Sequence, residues 1–197
     1  MIARIGLSAA GALALATMLV HAQAQPMPKG QMPDLGRPTR PGDTAPPLDF
    51  GQYFIGAWTF EWDAPEGPLG ASGRITGTTT YKKVSDKTFE AITEASGPSG
   101  TFRMQEVITY DRDSRMLSRQ VTDSRGFSYT ESAAVSGDAG GIYYVYMESS
   151  PFAYNGHTVR MKHNLRLLSP LNYRVAISVA DGEGPFVNYG NPWWRKQ

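Results

Sequence analysis

The sequence predicts an all-β chain, folded as an antiparallel up-and-down β-barrel of about nine or ten strands. Three observations carry that expectation. From Leu48 onward apolar residues recur with a period of two, the mark of strands with one dry and one wet face. Turn-forming residues separate these runs at short, regular intervals, and the connections are too short to hold a crossover helix, so neighbouring strands must run antiparallel. The hairpins also follow one another without the long return that a Greek key needs, and closure into a barrel removes the exposed edges of so strand-rich a chain.

The elements follow in chain order. Met1 to Ala24 read as a cleaved signal peptide: Arg4 supplies the positive start, an apolar run extends from Ile5 to Val20, and Ala22-Gln23-Ala24 offers small residues for cleavage after Ala24. The run is short for a membrane span and diluted by small residues. The mature chain is therefore expected in the periplasm or outside a bacterial cell, with no membrane association once the signal is removed. Residues 25–47 hold seven prolines, at positions 26, 28, 33, 38, 41, 46 and 47. Proline fixes φ and removes donors, so this segment is expected to be a disordered leader. The barrel domain is expected over 48–197.

Within that domain a turn at Phe50 to Phe54 is the one helical candidate. Trp58, Phe60 and Trp62 then alternate with Thr59, Glu61 and Asp63. Phe102, Met104, Ile108 and Tyr110 share a phase, as do Phe127, Tyr129, Ala133 and Val135. The strand around Ile142 to Met147 is apolar on both faces, which predicts cover on both sides: by the leader or the C-terminal segment, or by a partner, of which a second copy in a homodimer is the simplest. Val159, Met161, Leu165 and Leu167, then Tyr173, Val175, Ile177 and Val179, complete the alternation. Turns fall between, at Gly97-Pro98-Ser99-Gly100, Ser124-Arg125-Gly126, Asn155-Gly156 and Asp181-Gly182-Glu183-Gly184 among others.

The 197 residues are 41% hydrophobic and 19% charged, with a formal net charge of +1. That is ample apolar material for one core and no basic stripe for nucleic acid. Loss of the signal leaves 18 basic against 18 acidic residues. Cysteine is absent, which excludes disulfides, thiolate metal sites, cysteine nucleophiles and a lipid-modified N-terminal cysteine.

The most informative pattern is a set of polar residues in phase with the dry face. Glu106 shares the phase of Phe102 and Tyr110; Glu131 that of Tyr129; His163 lies between Met161 and Leu165; Arg119 is flanked by Leu117 and Val121. Side chains in that phase point inward. Two readings stand open: a structural Arg–Glu network, or polar groups that orient a ligand in a cup walled by Trp58, Phe102, Tyr110, Tyr129 and Tyr173. His163 adds the alternative of an axial ligand to haem; otherwise no cofactor is expected, and no spacing typical of metal ligands occurs. Gly97-Pro98-Ser99-Gly100 lacks the pattern of a nucleophile elbow, and Gly137 to Gly141 lacks the lysine and helix of a phosphate loop.

Gly56-Ala57-Trp58 at the start of the first strand resembles the G-x-W opening of lipocalin-like barrels. With the late Asp181-Gly182 and the closing Arg195-Lys196, the chain from about Leu48 is similar to a group of uncharacterised bacterial lipocalin-like proteins of the calycin type. That resemblance implies a barrel with a cup and a tryptophan packed across one end. The expected function is an exported barrel that binds a small, partly apolar ligand without chemistry. An acid–base enzyme using Glu106, Glu131 or His163 is the alternative, as is an interaction module with a packed core and an aromatic outer strand.

Overall fold

A computed structural model describes residues 45–197. The segment read as a signal peptide and residues 25–44 of the expected leader lie outside the described residues. A five-residue helix, α1 (Phe50–Phe54), precedes twelve strands: β1 (Gly56–Ala64), β2 (Gly73–Lys83), β3 (Thr88–Gly97), β4 (Gly100–Asp111), β5 (Met116–Asp123), β6 (Phe127–Gly137), β7 (Tyr143–Glu148), β8 (Phe152–Tyr154), β9 (His157–Ser169), β10 (Asn172–Asp181), β11 (Val187–Gly190) and β12 (Trp193–Lys196). Each pairs antiparallel with its neighbours. Ten of them close a ring in the order β1 to β7, then β9, β10, β12 and back to β1. This is the up-and-down barrel that the alternation predicts.

The other two strands are the far halves of interrupted ring positions. β7 and β8 both pair with β9, and β11 and β12 both pair with β10. Each interruption holds a proline, Pro151 or Pro192, which has no amide hydrogen to give the ladder. At the second break Gly190 adopts φ +128°, and a Cβ there would lie 2.1 Å from the indole nitrogen of Trp62. Glycine is therefore required where Trp62 donates to the carbonyl of Tyr189 at 2.9 Å.

One end of the barrel is sealed by α1. Asp49 caps it by accepting from the Gln52 amide at 3.0 Å. Phe50 and Phe54, four residues apart and so on one helical face, enter the barrel. Phe50 packs on Phe89 with ring centroids 4.2 Å apart, and Phe54 on Tyr81 at 5.2 Å. Trp58 lies across this end, fully buried, donating from its indole to the Phe54 carbonyl at 2.7 Å and meeting Tyr173 edge-on at 4.9 Å.

One detail differs from the sequence reading. Residues 45–47 belong to the ordered domain and not to a free leader: Ala45 is buried, and its carbonyl accepts from the Arg115 guanidinium at 2.8 Å. Prolines hide such order, because a segment without donors can still be held by its carbonyls. The strand from Ile142 to Met147 is not covered on its outer face among the described residues. Tyr146 is 60% exposed, while Tyr144 is half-buried under Arg166. Phe152, just beyond, turns inward and stacks on Phe127 and Tyr129.

Because Trp58 is fully buried and spends its one donor on the helix, Trp58→Ala is expected to cost about 3–5 kcal/mol of stability. Urea unfolding of the mature protein measures this, and a loss below about 1 kcal/mol would mean that the sealed end does not depend on the tryptophan.

Candidate functional site

Alternation delivers the site. Arg119 on β5 and Glu131 on β6 stand directly opposite one another, and Glu106 on β4 faces Val121, two residues further along β5 on the same face. His163 comes from β9, two ring positions beyond Glu131 and opposite Met147 of β7. The residue that faces Glu131 from the β7 side is Ser149, at the interruption. Its small side chain bonds the Met161 amide at 2.9 Å.

The four polar side chains form one chain of contacts. Arg119 donates from Nε to Glu131 Oε1, and from Nη1 to Glu106 Oε2 at 2.9 Å. Glu131 Oε2 meets His163 Nδ1 at 2.9 Å. Burial opposes the charge on Arg119, but Glu131 and Glu106 outweigh it and hold the guanidinium well above its ordinary range. Burial likewise pushes the Glu131 carboxyl up, and the charge of Arg119 with the charge and hydrogen bond of His163 brings it down to about 2. Burial dominates the neighbouring phenols and raises both Tyr129 and Tyr173.

Beside this cluster the interior is not filled. A cavity with about 120 Å³ open to water-sized spheres lies between the sealed end and the opposite mouth. Phe102, Glu106, Arg119, Tyr129, His163 and Tyr173 all border it. Three candidates from the sequence do not. Trp58 and Tyr110 belong to the sealed end, where Tyr110 packs on Phe50, and Glu131 is buried behind Arg119 and His163 with no accessible side chain. The structure thus brings together six of the residues that pattern alone assigned to a cup, and gives the other three supporting places.

Several polar atoms remain unspent. Among the described residues Glu106 Oε1, the Tyr129 hydroxyl and His163 Nε2 have no hydrogen-bond partner. None is among the fully buried side-chain atoms left without one. Each therefore retains access to open space, and the cavity is the space these buried residues border. No group of three or more histidine, aspartate or glutamate side chains among the described residues is arranged to hold a metal ion.

Other wall residues escaped the sequence reading. Thr79 and Thr93 share a hydrogen bond at 2.9 Å inside the barrel, and Trp194 donates to Thr79 at 3.3 Å. Tyr81 and Tyr173 join hydroxyl to hydroxyl at 2.9 Å. At the mouth the buried Asp123 carboxylate takes two bonds from the Arg125 guanidinium, at 2.9 and 2.7 Å. That guanidinium in turn lies 4.1 Å above the Phe102 ring. Threonines in phase with Tyr81 were the available signal for the first pair. Arg125 gave none, since it occupies a turn.

No family model and no curated protein matches the chain. Among solved structures the chain is similar to the crystal structure of Rv2717c from M. tuberculosis. The TM-score is 0.63 and the identity 12%, over 79% of this chain and 99% of that one. A de novo designed fluorescence-activating β-barrel follows, at TM-score 0.43 and 15% identity over 76% of this chain and 99% of the design. The first likeness establishes a shared fold. It agrees with the closed antiparallel ring of this chain.

The depressed Glu131 carboxyl fixes a pH dependence. Its folded-state value lies below its unfolded one, so its stabilising contribution is present above about pH 4.5 and is lost as pH falls toward about 2. Glu131→Gln is expected to lose on the order of 3 kcal/mol at pH 7, and the gap between variant and wild type should narrow across that window. Urea melts of both proteins from pH 7 to pH 2.5 measure it. A gap that stays constant with pH would show that Glu131 acts by shape alone.

Proposed function

We propose that the mature protein is an exported, non-enzymatic barrel that takes a small, partly apolar molecule into this cavity. One observation carries the reading: an aromatic-walled space is bordered by Glu106, Tyr129 and His163, each with a polar atom that has no protein partner among the described residues and keeps access to open space. Binding pockets combine apolar walls with a few convergent polar groups in this way. A purely structural ion network would have no need of the space, and apolar side chains of similar volume would serve stability at least as well. Export rests on the signal pattern of Arg4, the apolar run and Ala22-Gln23-Ala24.

A second reading has one observation behind it. Glu131 orients the His163 imidazole and leaves Nε2 toward the cavity, the geometry of a general base supported by a carboxylate. No nucleophile stands beside it among the assigned polar groups, and the binding reading comes first.

Native mass spectrometry of the protein purified from its own source, compared with the same sample after denaturing extraction, tests the proposal. The expected result is a chain lacking residues 1–24, with an excess mass that disappears on denaturation. A haem-sized excess would move the reading to His163 as an axial ligand. A bare chain that also takes up no small aromatic molecule would overturn ligand binding, and a doubled native mass would assign the exposed Tyr146 face to a dimer.

A further inference from the structure

We infer that the cavity selects a small apolar body carrying a single protonated amine and rejects carboxylates. The inference rests on the binding reading above and names its ligand class.

The charge inventory of the interior decides the sign. Glu106 and Glu131 supply two negative charges and Arg119 one positive charge. With His163 neutral the cluster carries one net negative charge. With His163 protonated it carries none. In neither state is there positive charge to spare for an anion. The mouth does not alter this balance, because Asp123 and Arg125 neutralise one another through two hydrogen bonds. Arg119 keeps Nη2 without a partner among the described residues, but its single charge already serves two carboxylates. A third carboxylate would meet two like charges for each opposite one at short range inside the barrel.

An ammonium group finds the reverse. Glu106 Oε1 is an acceptor with no protein donor, on a carboxylate whose other oxygen alone is used. The Tyr129 hydroxyl and the neutral form of His163 Nε2 are further acceptors bordering the same space. A buried cation is tolerated where it is both paired and hydrogen-bonded, and these groups offer both. Space sets the remaining limit, since an apolar protein cavity of about 150 Å³ accepts a benzene ring. The cavity here, at about 120 Å³, is smaller, so it limits the ligand to a single ring with a short arm that reaches toward the mouth.

The test uses three probes that share one ring: benzylamine, benzyl alcohol and benzoate, titrated at pH 7 into the full mature protein. The readout is the methyl resonances of Met104 and Met161, which border the cavity and report occupancy there. Benzylamine is expected to bind about tenfold or more tighter than benzoate, with the alcohol between. Glu106→Gln should bring the amine-to-benzoate ratio toward one. Benzoate binding as tightly as benzylamine, or tighter, would overturn the selectivity while leaving the cavity a binding site. Silence of both methionines for all three probes would remove the binding reading and this inference with it. The wild-type series decides the matter whether or not the variant folds.

Discussion

The guanidinium of Arg119, buried in the middle of a barrel, is the constraint from which the rest of the interior follows. A charge that deep must be paired and hydrogen-bonded, and one carboxylate does not exhaust five N–H donors. Glu131 comes from the facing strand and Glu106 from the strand beyond, so three adjacent strands are pinned in register by one side chain. The second oxygen of Glu131 then calls in His163 from β9, two ring positions further on. The network thus runs along one side of the ring from β4 to β9, and the space beside it stays open because aliphatic side chains cannot close over charged groups without leaving polar atoms unsatisfied.

That divides the interior into two halves with different physics. Toward α1 the filling is aromatic on aromatic: Phe50, Phe54, Phe89, Trp58 and Tyr173 interlock, and their polar tips are spent on backbone or on one another. Toward the mouth the walls are aromatic too, but Glu106 Oε1, the Tyr129 hydroxyl and His163 Nε2 have no partner among the described residues. Tyr173 belongs to both halves. Its ring packs on Trp58 and stacks on Trp194 at 5.2 Å, while its hydroxyl meets Tyr81 at the floor of the cavity. A plug of this kind makes the cavity blind, so anything that enters must leave by the Arg125 side.

Much of this was legible in the sequence because a strand has an exact period. Once Phe102, Met104, Ile108 and Tyr110 define the dry face of β4, Glu106 can only point inward, and the same logic places Arg119, Glu131 and His163. What period cannot supply is depth. Trp58 and Glu106 share the inward phase, yet one lies in the sealed half and the other beside open space, and only the stagger of the ring tells them apart. Nor does period reveal an inward Thr79 within a run of threonines, or an Arg125 that leaves its turn to roof the mouth. Nor can the alternation name what lies over Tyr146: aromatic residues on both faces of a strand show that two surfaces are apolar, but say nothing of what stands opposite the second.

The two interrupted ring positions connect wall to site. An unbroken strand between β6 and β9 would continue the ladder past Glu131 with a residue of ordinary size. At the break the position is Ser149, held by its own hydroxyl to the Met161 amide, and the Glu131–His163 bond passes beside it. The second break sets Trp62 against Gly190 at the mouth, where an indole occupies the place of a missing Cβ. Both prolines therefore sacrifice ladder bonds at points where a side chain from one wall must reach another. The irregularities of the barrel lie where its interior needs room, so the shape of the cavity is written as much in Pro151 and Pro192 as in the residues that line it.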